Sequence, residues 1–140
     1  MVYAAGIIPY FKISNKKYFL LGFERGYWSG FVGGSEENET IKQTALREFH
    51  EETKLIFKDY PIDLNNLFNA DTTPSGKPVY IWFVEFDNSL LHLIDNFKKS
   101  NLKGKQFNEK SDIGLFTLNQ IIKMNNVFYK LKELIVKNSN

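Results

Sequence analysis

Three glutamates fall within five residues in Arg47-Glu48-Phe49-His50-Glu51-Glu52. Like charges three and four apart on an exposed helix repel by roughly 0.2–0.5 kcal/mol per pair, so something must offset them. Projected at about 100° per residue, Ile41, Ala45 and Phe49 form an apolar stripe that Leu46 widens. Glu52 falls on that stripe between Ile41 and Ala45. Glu48 lies at its margin and Glu51 one step further round. A carboxylate turned toward packed surface is costly unless it is paired or metal-bound, and the one nearby arginine, Arg47, is outnumbered. A hard divalent cation with oxygen ligands, Mg²⁺ or Mn²⁺, resolves the repulsion. Ahead of the helix, Gly33 and Gly34 permit a close backbone approach, and Glu39 enters where the helix dipole favours an acid. His50 projects opposite the stripe and is expected to face solvent rather than to act as a ligand.

The elements that must hold these residues are legible in outline. Tyr3 to Ile13 and Tyr18 to Phe23, rich in aromatic and branched residues around Ser14-Asn15-Lys16-Lys17, predict a hairpin. Trp28 to Val32 predicts one short strand, Thr40 to Thr53 the helix, and Leu64 to Thr72 a weaker extended segment. Beyond the Thr73–Lys77 turn, Val79 to Phe86 is apolar on both faces, as a covered central strand is. Ile113 to Thr117 reads as a last strand. Leu118 to Met124 and Val127 to Val136 read as helices, the second with Val127, Leu131, Leu134 and Ile135 on one face. Strands with helices outside them imply an α/β sandwich.

The whole chain of 140 residues predicts a single domain, long enough to bury about two-thirds of its unfolded surface. It has no cysteine, which excludes disulfides and thiolate zinc sites. No apolar run is long enough to span a bilayer and no basic segment precedes an apolar one at the N-terminus, so a cytoplasmic protein without membrane association is expected. A net charge of +2 implies no nucleic-acid partner by itself. Lys98, Lys99, Lys103, Lys105 and Lys110 read as a solvated basic loop. Lysine outnumbers arginine sixteen to two, which makes Arg25 and Arg47 conspicuous, since only the guanidinium offers a planar fork for carboxylate or phosphate.

Residues 33–55 resemble the Nudix box: Gly33, five residues, Glu39, seven residues, then Arg47, Glu48, apolar Phe49, His50, Glu51, Glu52, Thr53, one residue and apolar Leu55. The departure is Lys54, where the family usually has glycine, so the exit from the helix is expected to be strained or different. The resemblance implies a Nudix-type α/β/α sandwich, a mixed β-sheet flanked by helices. It implies hydrolysis of a diphosphate linkage joining a nucleoside, or another group X, to a further phosphoryl group. Glu51 and Glu52 would be the principal metal ligands and Glu48 a ligand or the base. Arg47 would orient a neighbouring glutamate, and the Gly33 carbonyl would join the coordination sphere.

Elsewhere, Arg25 is a candidate phosphate contact or a surface ion-pair residue. Tyr27, Trp28 and Phe31 are candidates for stacking on a base or for packing, and Trp82 is expected in the core. Glu85 is expected to emerge into water. Glu109 lies in a loop where some Nudix enzymes carry an extra acid for metal binding or base catalysis. The expected partner is a small-molecule nucleotide, first a nucleoside triphosphate split to the monophosphate and pyrophosphate by a monomer or homodimer. The alternatives are a dinucleoside polyphosphate or capped-RNA hydrolase, RNA being the less favoured, and a non-catalytic nucleotide-binding module.

Overall fold

The computed structural model describes residues 2–65 and 69–138. β1 (Ala4–Ile13) and β2 (Lys16–Glu24) form the expected hairpin. Its turn is tighter than the polar run implied: only Ser14 and Asn15 bend, both at positive φ (51° and 67°), while Lys16 and Lys17 already belong to β2. Two consecutive left-handed residues match the right-handed twist of the strands they join.

The single strand expected at Trp28 to Val32 is broken. β3 (Tyr27–Ser29) pairs with β2, β4 (Phe31–Gly34) pairs with β1, and Gly30 falls between them. The break has a topological cause. Through Ala4–Ile7, β1 pairs with β4, and through Tyr10–Ile13 the same edge pairs with β2. Ile8 and Pro9 lie between the two ladders, and Pro9 has no N–H to offer either. The sheet is therefore split along that edge.

After α1 (Ile41–Glu52) the chain returns through β5 (Asn69–Thr72) and β6 (Pro78–Glu85). β6 runs parallel to β1 from Ala4 to Tyr10, which makes the sheet mixed. Of the extended segment expected from Leu64, residues 69–72 form β5, and 66–68 lie outside the described residues. β7 (Asp112–Thr117) pairs antiparallel with β2. Among the described residues the sheet has seven strands. The sequence reading did not distinguish the 3-10 segments Asn88–Asp95 and Lys105–Phe107 or the short α2 (Asn96–Lys99) between them. α3 (Leu118–Lys123) and α4 (Tyr129–Lys137) close the chain, with Val127 held before α4 by a bridge to Trp28.

Period-2 alternation supplies both layers. Ile7, Leu20 and Trp82 face one core with Phe49, Phe57 and Phe86. Their neighbours Ile8, Leu21 and Ile81 face the other with Ile121, Leu131, Leu134 and Ile135. Trp82 is buried as expected, and so is Phe31, which is thereby removed as a stacking surface for a base. Among the described residues no helix is long and apolar enough to cross a membrane.

Candidate functional site

α1 starts with a capping box, in which Thr40 accepts from the Gln43 N–H and Gln43 accepts from the Thr40 N–H. The preceding loop is tied to the helix by Glu39. Its carboxylate accepts from Arg47 Nε at 2.6 Å, from Thr44 Oγ1 at 2.8 Å and from the Glu36 N–H at 2.8 Å. The Arg47 guanidinium beside it holds the Glu39 carboxyl down at about 2.

Arg47 is the hub of the box. Besides Glu39, it donates to Glu48 at 2.9 Å, to Glu51 at 3.2 Å and to the Gly34 carbonyl at 2.8 Å. One side chain thus fixes a loop, a strand end and two acids of the helix. The Glu39 hydrogen bond and then the Glu48 contact raise the pKa of Arg47, so it stays charged throughout.

Glu52 is 2% exposed, on the inner side of α1 where the projection placed it. Neither of its oxygens has a hydrogen-bond partner among the described residues. Burial, then the neighbouring Glu48, push its pKa far up. Oxygens of Glu48, Glu52 and Glu109 lie within 4.8 Å of one another. Three converging carboxylates, one with two orphaned buried oxygens, form the donor set a hard divalent cation requires. Glu109 is thus drawn to the site from the loop ahead of β7. Its pKa is raised, first by partial burial and then by the charges of Glu24 and Glu48. Glu51, expected as a principal ligand, stands outside this trio and points to Arg47.

Gly33 abuts the acids directly. A Cβ there would overlap the carboxyl group of Glu48. Gly33→Ala is expected to push Glu48 off Arg47 and to weaken Mn²⁺ binding at least tenfold, readable by electron paramagnetic resonance. Unchanged Mn²⁺ affinity with a folded protein would show that Glu48 has no part in holding the ion.

The exit from α1 bears out the strain expected at Lys54. Lys54 and Leu55 both take positive φ, 54° and 60°. A left-handed non-glycine residue costs about 1–2 kcal/mol, partly offset because Lys54 Nζ lies 4.5 Å above the Phe97 ring.

Two expectations are corrected. His50 does not face solvent freely: its ring is half-buried beside Phe49, its Nδ1 is enclosed, and burial lowers its pKa. Lys110 is not a solvated loop lysine. It is 3% exposed, donating to Ser29 Oγ at 2.7 Å, with Glu24 at 3.3 Å and Glu52 at 3.7 Å. The charge run concealed it because its partners come from β2, β3 and α1. Its place next to Glu109, already a candidate, was the available signal.

The proposed substrate contacts fare unevenly. Arg25 is exposed in the Arg25-Gly26 turn between β2 and β3. Tyr27 is 51% exposed, its ring 6.4 Å from Phe128. Trp28 packs between Phe23 and Phe116, at 5.1 and 4.7 Å, as a core residue does. Glu85 emerges as expected and pairs with Lys12.

A cavity of about 330 Å³ adjoins Lys110 on the opposite face of the sheet from α1. Val32, Val79 and Ile81 form its floor, Leu131 and Leu134 its wall, and Phe128 part of its rim. The sequence reading missed it because it is made by α4 meeting residues of five strands, β2 to β6. Lys130 Nζ donates to the Thr72 carbonyl at 2.7 Å and ties α4 to β5 there. A larger hollow of about 660 Å³ lies over the β1–β2 turn, lined by Lys12, Lys16 and Lys17 with no acid among its lining residues. It offers no carboxylate to a cation.

Comparison with known proteins agrees with this geometry. In fold the chain is similar to an Ap4A hydrolase of C. elegans, at 22% identity over 97% of this chain and 95% of the other, with a TM-score of 0.69. It is similar to a NUDIX hydrolase of Listeria monocytogenes, at 15% identity over 98% and 91%, TM-score 0.63. The NUDIX domain of Shewanella oneidensis NrtR, solved with ADP ribose, matches at 17% identity over 99% and 88%, TM-score 0.63. Identities this low establish the fold alone. No curated protein sequence matches the chain. The family model of the NUDIX domain matches residues 5–135, nearly the whole chain, and by that match this protein belongs to the Nudix family.

Proposed function

We propose that this protein is a metal-dependent hydrolase that splits a nucleoside triphosphate into the monophosphate and pyrophosphate. One observation carries the reading. Glu48, Glu52 and Glu109 meet at one side of the split sheet, and the cavity with its apolar floor opens at the other. An acid cluster alone would suit many cations, and an apolar cavity alone many ligands. Joined, they suit a molecule with a planar apolar end and an anionic chain.

Glu48 and Glu52 would hold the cation, with Glu51 a further carboxylate beside them and Glu109 facing the same space. Bound there, Mg²⁺ or Mn²⁺ supplies charge neutralisation for the diphosphate and acidifies water. Arg47 keeps Glu48 and Glu51 in place. Glu109, the exposed member of the cluster, accepts the proton of the attacking water at its carboxylate, its pKa being raised first by partial burial and then by Glu24 and Glu48. Val32, Ile81 and Leu131 enclose the base and exclude water from that end.

A dinucleoside polyphosphate is the second reading. Lys98, Lys99, Lys103 and Lys105 stay exposed in the segment that leads to Glu109, and they extend the anion-attracting surface beyond the acids. The similarity in fold to an Ap4A hydrolase is consistent with it.

Turnover of nucleoside triphosphates and dinucleoside polyphosphates in ¹⁸O-water, with mass spectrometry of the products, tests both. The expected result is label in the monophosphate for attack at the α-phosphorus or in pyrophosphate for attack at the β-phosphorus. Orthophosphate as first product would refute the pyrophosphohydrolase. Cleavage of dinucleoside polyphosphates alone would select the second reading, and no cleavage of any diphosphate in a panel extended to nucleotide sugars, ADP-ribose and capped RNA would favour a nucleotide-binding module.

A further inference from the structure

We propose that Lys110 binds the phosphate next to the nucleoside and so positions the anionic chain between the cavity and the acids. The inference rests on the nucleotide reading of the site, but its test does not require turnover.

An ammonium that is 3% exposed is costly to keep charged, and a lysine is rarely enclosed without partners. Lys110 has partners, yet they satisfy it poorly. Its one short bond is to the neutral Ser29 hydroxyl at 2.7 Å. The two acids stand off at 3.3 Å (Glu24) and 3.7 Å (Glu52), and Glu52 accepts no hydrogen bond from it. An ammonium has three donors. One is committed to Ser29, one faces Glu24 in an ion pair at 3.3 Å, and Glu52 at 3.7 Å is beyond hydrogen-bond reach, so a nearer anion can still take a donor.

The Lys110 stem enters beside Gly22 of β2, where any Cβ would come within 2.8 Å of Lys110 Cδ and 2.9 Å of the Phe31 ring of β4. The side chain thus occupies the split between β2 and β4. Its ammonium touches Glu52 of the acid cluster, and the residue also lines the cavity together with Ser29. A base seated over Val32 and Ile81, with its phosphates directed to Glu48, Glu52 and Glu109, must pass this ammonium. The first anionic group leaving the cavity is the phosphate attached to the nucleoside. A phosphate oxygen within reach of this ammonium is the chemistry that takes up the donors not committed to Ser29.

The test compares a nucleoside with its monophosphate in chelator, where hydrolysis and metal contacts are absent. Affinities for adenosine and AMP, and for guanosine and GMP, are measured by titration NMR on wild type and Lys110→Met. Methionine keeps most of the stem and removes the charge. Wild type is expected to bind at least one monophosphate about tenfold or more tighter than its nucleoside, as a charge-assisted contact provides. In Lys110→Met that ratio should collapse toward one, with nucleoside affinity unchanged. A ratio preserved in the variant, or no preference for the monophosphate in wild type, overturns the proposal. A merely structural counter-ion to Glu52 would instead alter Mn²⁺ affinity and melting temperature while leaving the ratio intact. Should Lys110→Met fail to fold, Ser29→Ala serves. It removes the bond that aims the ammonium, should lower the ratio severalfold, and refutes the role by leaving it unchanged. Failure of wild type to hydrolyse any nucleotide would refute the hydrolase reading and leave this comparison standing.

Discussion

Glu52→Gln is expected to lose about a thousandfold or more in turnover while remaining folded. Metal-assisted charge stabilisation contributes several kcal/mol to a transition state, and each 1.36 kcal/mol is tenfold in rate. The amide keeps the shape of the carboxylate but cannot supply its charge. Without metal the variant should be the more heat-stable protein, because a neutral group replaces a buried acid whose two oxygens lack hydrogen-bond partners. The pH dependence follows from the sign of the shift. Burial and Glu48 raise the Glu52 pKa, so the native metal-free state holds a proton that the unfolded chain releases above the ordinary glutamate value. Native wild type therefore loses stability as pH rises from about 4.5 into the neutral range. The glutamine variant has no such slope, and the gap in melting temperature should widen with pH. Full turnover by Glu52→Gln, or by wild type in excess chelator, would sink the metal assignment. A gap that narrows as pH rises would contradict the buried-acid account.

Arg47→Lys is the second large effect, expected at 10- to 100-fold in turnover with a smaller change in substrate affinity. Losing an outer partner of metal-binding groups commonly has that size. Arg47 reaches Glu39, Glu48, Glu51 and the Gly34 carbonyl at once, and a lysine ammonium has neither the fork nor the span to do so. The helix and its preceding loop would then lose the guanidinium bonds that tie them together, so folding stability should also fall by roughly 1–3 kcal/mol, the contribution of about one charged hydrogen bond. Equal kinetics for the two proteins would reduce Arg47 to a surface ion-pair residue.

Most of what was readable in advance was written locally. The stripe Ile41, Ala45, Phe49 fixes how α1 must lie, and that alone turns Glu52 inward. Val79 to Phe86 declared itself by being apolar on both faces, because β6 is covered on both. The break at Gly30 was not local. Whether Trp28 to Val32 is one strand or two depends on which neighbours its halves meet, and the split edge of β1 decides that. Lys110 escaped for a related reason: a lysine in a basic run looks solvated until the sheet brings Glu24, Ser29 and Glu52 around it. His50 shows the limit of a helical projection, which gives a direction without saying what the rest of the chain will lay over it. For Glu109, loop position suggested the role, and the geometry now gives it neighbours.

The split edge of β1 also divides labour. On the reading above, groups that do chemistry sit on α1 and the loop before β7, whereas the wall and floor that meet the base come from α4, β4 and β6 on the far face. A substitution at Leu131 or Val79 can reshape the cavity without moving a carboxylate, and one at Glu51 can alter the acid cluster without reshaping the cavity. Preference and power can therefore drift separately over evolutionary time. Among the described residues, those at the cleft between β2 and β4, namely Gly22, Glu24, Ser29 and Lys110, stand where the two sides meet, and changes there should be the hardest for such a protein to absorb.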